Sequence, residues 1–228
     1  MNIETQVMNF YSSIKFPGNY NYKQLEIDNL YCNPYLKFYN NAVKDFKTVL
    51  DVGCGTGLIS NFLAINNPNL EVDAIDFSDS IDYAVEFSDK NLVNNISYIK
   101  ENFLNYKPKK NYDIVICTGV LHHIPKYEIA IEKIKTLATK KIVIGIYNTY
   151  AKRIQKTVKL NYQNEIYRLD QENVPFETSF TNKEILYMFR EYQLKTVHPS
   201  INNTLVNFRN LFNYKNGGLT LYEFDIRQ

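Results

Sequence analysis

The chain has 228 residues and a formal net charge of +2, and hydrophobic residues make up 45% of it. This length suits one α/β domain with an appendage and allows a sizeable core. The composition excludes an intrinsically disordered chain. The charge is too small to indicate a nucleic-acid partner by itself.

Three cysteines, Cys32, Cys54 and Cys117, form no CxxC pair and leave an odd count. Neither a disulfide framework nor a metal site is therefore predicted. The N-terminus lacks a basic segment followed by an apolar one, and no stretch approaches the roughly 20 apolar residues of a membrane span. We expect a soluble cytoplasmic protein without a membrane partner.

Residues 1–46 are predicted to form a helical extension that covers the core. A first helix is indicated by apolar residues at helical spacing, namely Ile3, Val7, Tyr11 and Ile14. The turn Phe16-Pro17-Gly18 ends that helix. One or two further helices follow over 22–46, with a break at Pro34.

Five apolar runs alternate with helical patterns through the core, residues 47–147. The predicted strands are Thr48–Val52, Glu71–Ile75, Ile96–Ile99, Tyr112–Cys117 and Lys141–Tyr147. This alternation requires a parallel sheet with helices on both faces and right-handed crossovers. Ligands bind such sheets at the carboxyl ends of the strands.

The last part, residues 148–228, has a looser pattern. Thr149–Leu160 is predicted to be helical, whereas 161–177 is polar and shows no clear period. Thr181 and Glu184 form a capping box for a helix that runs through Tyr192. Two closing strands, Gln193–Pro199 and Leu219–Asp225, flank a long loop. No linker divides the chain, so 1–228 is predicted to be one domain.

The sequence VLDVGCGTG, at Val49–Gly57, has the order strand, glycine loop, helix start. Its glycines follow GxGxG spacing, and Leu58 stands where the dinucleotide fingerprint GxGxxG needs its third glycine. Asp51 precedes the loop, and a carboxylate there would repel a diphosphate but attract a cationic group. The loop therefore predicts a ligand that carries positive charge and no diphosphate.

Several motifs in this order resemble the class I S-adenosylmethionine-dependent methyltransferases. They are VLDVGCGTG, the acid Asp76 closing the second strand, Asn102-Phe103 after the third, and TGVLHHIP after the fourth. The resemblance implies a Rossmann-like α/β fold with a sheet of about seven strands, mostly parallel, whose last strand is inserted antiparallel. It implies S-adenosylmethionine as cofactor and S-adenosylhomocysteine as product.

The resemblance also implies cofactor contacts. Asp51 and the backbone of Gly53, Cys54 and Gly55 would hold the methionine part. Asp76 would bind the ribose hydroxyls, and Phe77 would pack on adenine. Asn102, which stands where many relatives have Asp, would border the adenine amino edge together with Phe103. The Cys117 carbonyl and the turn Thr118-Gly119 would lie near the methionine part and the sulfonium.

Methyl transfer from a sulfonium depends mainly on holding nucleophile, methyl carbon and sulfur in line. Where the acceptor must lose a proton, His122 or His123 is the nearest titratable candidate. Because the two are adjacent, we expect at most one to reach the acceptor. Four aromatic residues are predicted to form a substrate lid: Tyr11, Phe16, Tyr20 and Tyr147.

Three functions remain open for this sequence. The first hypothesis is methylation of a small molecule at oxygen, nitrogen or sulfur. The second is methylation of tRNA or another RNA, for which a basic stripe could serve, although such a stripe is more often a solvated helix face. Its members are Lys152, Arg153, Lys156 and Lys159. The third is a binding protein that keeps the fold without turnover.

Overall fold

The computed structural model describes residues 2–26, 34–157, 165–198 and 219–227. The helices are α1 (Ile3–Ile14), α2 (Pro34–Val43), α3 (Leu58–Asn66), α4 (Ser80–Lys90), α5 (Tyr127–Leu137), α6 (Thr149–Thr157), α7 (Glu165–Asn173) and α8 (Asn182–Met188). The strands are β1 (Thr48–Val52), β2 (Glu71–Asp76), β3 (Ile96–Lys100), β4 (Tyr112–Thr118), β5 (Ala138–Tyr147), β6 (Gln193–His198) and β7 (Leu219–Asp225).

The strands form one seven-stranded sheet in the order β3-β2-β1-β4-β5-β7-β6. Neighbours among β1 to β5 pair in parallel, whereas β7 pairs antiparallel with both β5 and β6. The predicted Rossmann-like sheet with an antiparallel last strand is confirmed. The strand order reverses between β1 and β4, which is where open α/β sheets bind ligands.

Side chains of the central strands alternate between two hydrophobic layers. Leu50 and Val52 of β1 pack into one layer, and Val49 packs into the other. This is the period of two that a strand imposes when both of its faces are covered by helices. Burial on both faces fixes the register, and with it the place where the glycine loop leaves β1.

The helix boundaries follow from local chemistry. The Asn2 side chain accepts a hydrogen bond from the Thr5 N–H and caps α1. The predicted break at Pro34 is the first residue of α2, a position where proline loses no helical hydrogen bond. The predicted capping box of Thr181 and Glu184 begins α8 as expected.

Two predictions for the C-terminal part need correction. The segment 161–177 contains α7, in which only Ile166, Tyr167 and Leu169 are apolar, so that no clear helical period results. Lys152 does not lie on a solvated basic face, because it is buried and its ammonium is 2.7 Å from Glu177 Oε1. The Lys156 side chain, Lys159, Cys32 and the loop after β6 lie outside the described residues.

Among the described ranges, no helix combines the length and the apolar character needed to cross a membrane.

Candidate active site

A cavity of about 400 Å³ opens at the carboxyl ends of β1, β2 and β4. Most of the residues predicted to contact the cofactor line it. From the glycine loop and the end of β2 these are Gly53, Cys54, Gly55, Asp76 and Phe77. From the ends of β3 and β4 they are Asn102, Phe103 and Thr118. The sheet thus brings together residues that are up to 65 positions apart in sequence, as parallel strands do at their common edge.

The glycine loop is held from both sides. The N–H groups of Gly53 and Cys54 donate to the Ile75 carbonyl at 2.7 and 3.1 Å. From the other side, the carbonyl of Phe16 accepts from the Thr56 N–H at 3.0 Å. Gly55 has a φ of +54°, and a Cβ there would lie 2.4 Å from the Phe16 oxygen. Glycine is needed because the N-terminal segment crosses the loop so closely.

Asp76 ends β2 with its carboxylate at the cavity wall. One oxygen accepts from the Gly55 N–H at 2.8 Å, and the other accepts from the N–H and the hydroxyl of Ser78 at 2.8 and 2.7 Å. Burial raises the pKa of this carboxyl, and the three hydrogen bonds oppose that rise. The donors fix the carboxylate in one orientation, which is what selective binding of paired hydroxyls requires.

The Asp51 side chain is not among those that line the cavity, so it would not contact a ligand there directly. It is 2% exposed and accepts a hydrogen bond from the Ser60 hydroxyl. Burial, with a contribution from the nearby charge of Asp76, raises the pKa of Asp51 to about 6. Cys117 is also fully buried in the core, and burial raises the pKa of its thiol above the usual range.

Gly119 lies beside the cavity with a φ of +75°, and no atom lies within 4 Å of the position that its Cβ would take. A side chain at this position would therefore occupy open space at the cavity wall. The turn after β4 leaves room for a ligand to approach the backbone closely, as the sequence resemblance implies for this position.

Aromatic side chains cover the rest of the cavity. Of the four predicted lid residues, Tyr11, Phe16 and Tyr147 line it. Tyr20 does not, because its hydroxyl donates to the Thr56 carbonyl at 2.7 Å and its ring packs on Phe87. Three tyrosines that sequence reasoning missed also line the cavity: Tyr35, Tyr39 and Tyr167. Tyr39 lies on α2, and its hydroxyl reaches Thr118 Oγ1 at 3.0 Å.

The adjacent histidines differ in position. His123 lines the cavity, with Nδ1 2.9 Å from the Phe176 carbonyl and Nε2 2.8 Å from the Tyr11 hydroxyl. His122 lies behind it against the Tyr147 ring, and neither of its ring nitrogens has a hydrogen-bond partner among the described residues. Burial lowers the pKa of both imidazoles, and that of His122 more strongly.

Asp170 is a site residue that sequence reasoning missed. It lies on α7, is 1% exposed, and accepts hydrogen bonds from Tyr11 at 2.6 Å and from Tyr147 at 2.8 Å. These hydroxyls come from the first helix and from the end of β5. A buried acid in a polar segment leaves no periodic signal, so only the fold brings Asp170 to the site.

Comparisons with known proteins agree with this geometry. Residues 44–193, more than half of the chain, match a family model described as a methyltransferase domain. The ubiquinone biosynthesis O-methyltransferase of Rickettsia bellii is 33% identical over 111 residues, 48% of this chain and 45% of that protein. The tRNA1(Val) (adenine(37)-N6)-methyltransferase of Aliivibrio salmonicida is 36% identical over 80 residues, 33% of either chain. These matches span less than half the length of the curated relatives.

A solved structure extends the likeness to the whole fold. Magnesium protoporphyrin IX methyltransferase from Synechocystis PCC 6803 with bound S-adenosylmethionine has a TM-score of 0.66 and 17% sequence identity. The alignment covers 100% of this chain and 98% of that one. The fixed carboxylate of Asp76 and the open space beside Gly119 both fit a nucleoside-type ligand at the carboxyl ends of the strands. The chain belongs to the family of class I S-adenosylmethionine-dependent methyltransferases, whose cofactor is S-adenosylmethionine.

Proposed function

We propose that this chain transfers a methyl group from S-adenosylmethionine to a small-molecule acceptor. The observation that carries the proposal is that a single cavity joins Asp76 and the glycine loop to the aromatic wall around Tyr11, Tyr147 and His123. A cofactor at the first end and an acceptor at the second would share one cavity, which would let the two react in line.

The cofactor end would place residues beside the ribose, the adenine and the sulfonium of the cofactor. Asp76 would accept the ribose hydroxyls, since its carboxylate faces the cavity and is already oriented by Gly55 and Ser78. Phe77, Asn102 and Phe103 would surround the adenine. When bound, the cofactor supplies a methyl group on a cationic sulfonium. The backbone at Thr118 and Gly119 leaves room there, and the neighbouring aromatic faces favour a cation.

The acceptor end suits an apolar, small organic molecule. Its wall includes the rings of Tyr11, Phe16, Tyr35, Tyr147 and Tyr167 beside aliphatic residues, with the polar atoms of Tyr11 and His123 between them. By its name, the relative from Rickettsia bellii methylates an oxygen in ubiquinone biosynthesis. This likeness supports a small acceptor for the present chain.

An RNA acceptor is the weaker alternative. One relative is named for tRNA methylation, but RNA binding depends on exposed cations that meet phosphates. Lys152 is buried and forms an ion pair with Glu177. Among the side chains described, Arg153 is the exposed member of the basic stripe.

Calorimetry with S-adenosylmethionine tests the cofactor, and no binding at millimolar ligand would overturn the proposal. Release of S-adenosylhomocysteine in the presence of apolar hydroxyl and amine compounds tests turnover. Tight cofactor binding with no turnover on any acceptor would instead favour a binding protein. Retention on heparin that is lost in an Arg153→Ala variant would favour RNA.

A further inference from the structure

The turn that follows β3 is bound through its carbonyl groups by one lysine of α5. The Lys133 ammonium donates to the carbonyls of Phe103 at 2.6 Å and of Leu104 at 3.3 Å, and it also donates to the carbonyl of Tyr106. An ammonium has three N–H donors and no acceptor. The three carbonyls therefore match the whole donor capacity of this side chain.

The N–H groups of the same turn are bound by Asn102. Its side-chain oxygen accepts from the Leu104 N–H at 2.9 Å. Its backbone carbonyl accepts from the N–H groups of Asn105 at 2.9 Å and of Tyr106 at 3.0 Å. Backbone groups that are shielded from water need such partners. Because Asn102 binds the N–H groups and Lys133 binds the carbonyls, the two residues together fix the conformation of the turn.

This turn forms part of the cavity wall. The cavity is lined by Glu101, Asn102, Phe103 and Leu104. The Glu101 N–H donates to the Asp76 carbonyl at 3.0 Å, so the turn begins beside the residue proposed to bind the ribose. Lys133 is not among the described residues that line the cavity. It therefore acts on the wall and would not contact a ligand inside.

Lys133 also contacts the aromatic rings of the turn. Its ammonium lies 5.0 Å from the centroid of the Phe103 ring and 5.8 Å from that of the Tyr106 ring. A cation at such a distance is attracted to the face of a ring. Phe103 is buried, and its carbonyl and its ring both contact this ammonium. Loss of the ammonium would release both.

We propose that Lys133 is a positioning residue for the cofactor. It holds the turn after β3 in the conformation in which Asn102 and Phe103 receive the adenine. This inference rests on the methyltransferase function proposed above. A wall that is already held in its binding conformation loses less conformational entropy when the ligand arrives. Without Lys133 the three carbonyls would turn to water, and part of the binding free energy would be used to restore the turn.

A second lysine of the same helix offers a matched comparison. Lys135 is half-buried, as Lys133 is. Its ammonium pairs with Glu132 at 3.0 Å and with Glu191 at 2.6 Å, and it lies 5.5 Å from the centroid of the Phe189 ring. None of these three partners lines the cavity. Replacing Lys135 would therefore remove a comparable set of contacts from α5 and leave the cavity wall intact.

The test is calorimetry of Lys133→Met with two ligands, S-adenosylhomocysteine and methylthioadenosine. Methionine keeps an unbranched apolar side chain but has no N–H donor. We expect both ligands to bind about 10-fold more weakly than to the wild type. The factor should be the same for both, because both carry adenine. Lys135→Met should bind both as the wild type does. Urea denaturation shows whether each variant is folded under the conditions of the calorimetry.

Wild-type affinity in Lys133→Met would overturn this inference alone. A loss confined to S-adenosylhomocysteine would also overturn it, since the two ligands share the adenine and differ in the amino-acid part. An equal loss in Lys135→Met would do the same, because it would indicate a general effect of destabilisation.

A milder second variant is Lys133→Gln, which keeps an amide donor on a shorter side chain. It should also bind both ligands more weakly than the wild type. If Lys133→Met does not fold, unchanged affinity in Lys133→Gln would overturn the inference. Failure of the wild-type chain to bind S-adenosylhomocysteine would overturn the proposed function instead.

Discussion

The hydroxyl of Tyr11 lies 2.6 Å from the carboxylate of Asp170, although 159 positions separate the two residues in the chain. Tyr11 belongs to the first helix and Asp170 to α7, so this contact joins the two segments that flank the cofactor core. Tyr147 reaches the same carboxylate from the end of β5. Asp170 thus links α1 and α7 to the end of β5 through hydrogen bonds.

We expect Asp170→Ala to destabilise the fold. The change leaves the buried Tyr147 hydroxyl without its acceptor, whereas the Tyr11 hydroxyl keeps His123 Nε2 as a neighbour. Urea denaturation should therefore show a free energy of unfolding lower by about 1 to 3 kcal/mol. Glu172→Ala on the same helix is the matched control, because its exposed pair with Arg168 contributes about 0 to 1 kcal/mol. Equal effects of the two changes would contradict the role of Asp170.

Asp76→Ala should weaken binding of S-adenosylhomocysteine by about 10-fold or more. A hydrogen bond to a charged group contributes about 1.5 to 3 kcal/mol, and 1.4 kcal/mol corresponds to a factor of 10. Calorimetry measures the change directly. Asp79→Ala, three residues later and exposed, should bind as the wild type does. Unchanged affinity in Asp76→Ala would remove the ribose assignment.

The buried carboxyl of Asp51 predicts a specific pH dependence of stability. Its pKa is raised in the fold from the ordinary value of 3.8 to about 6, so the fold favours the protonated form. Below pH about 4 the group is protonated in both states and costs nothing. As pH rises to about 6 the cost of burying the charge develops, and above that pH it is fully present.

Asp51→Asn removes this cost. The stability of the variant relative to wild type should therefore improve by about 2 kcal/mol between pH 4.5 and pH 7.5 in urea denaturation. Asp113→Asn is the control. Partial burial raises the pKa of Asp113, but hydrogen bonds from Lys140 and two backbone N–H groups lower it, and the net shift is downward. Its titration lies below this range, so its difference from wild type should stay nearly constant.

Lys152→Met should destabilise the fold by about 3 kcal/mol, because removing one partner of a buried ion pair leaves the other charge uncompensated. The partner is Glu177, whose carboxylate lies 2.7 Å from the ammonium. Arg153→Met, the next residue and exposed, should change stability by about 0.5 kcal/mol or less. Unfolding of both variants at the same urea concentration would contradict a stabilising buried ion pair between Lys152 and Glu177.

The parts of the fold that were predictable carry strong local signals. The glycine loop, the β-branched strands and the Thr181 capping box each have a short sequence pattern that is typical of one local conformation. Adjacency predicted that at most one of His122 and His123 reaches the acceptor, and of the two only His123 lines the cavity. In contrast, α7 was missed because only three of its nine residues, Ile166, Tyr167 and Leu169, are apolar, and these do not set up a helical period.

The acceptor end could not be assembled from sequence for a related reason. Tyr20 and Tyr39 both precede the first strand, and the local sequence does not show which of the two rings faces the cavity. In the fold, Tyr20 turns its hydroxyl to the Thr56 carbonyl, whereas Tyr39 faces the cavity. Which aromatic residue faces the ligand is decided by how the extension packs on the glycine loop, and periodicity does not encode that contact.

Gly119 allows the cavity and the backbone strain to be tested separately. Its φ of +75° penalises a side chain, and the space where a Cβ would stand is open. Gly119→Ala adds a methyl group at the cavity wall and should cost about 1 kcal/mol in unfolding free energy. Gly119→Asn adds a larger group but tolerates the left-handed conformation better, so its cost in stability should be smaller.

If the cofactor lies against this turn, both variants should bind S-adenosylhomocysteine about 10-fold more weakly or worse, with Asn the weaker binder despite its greater stability. Affinity that instead follows stability would place the cofactor away from Gly119.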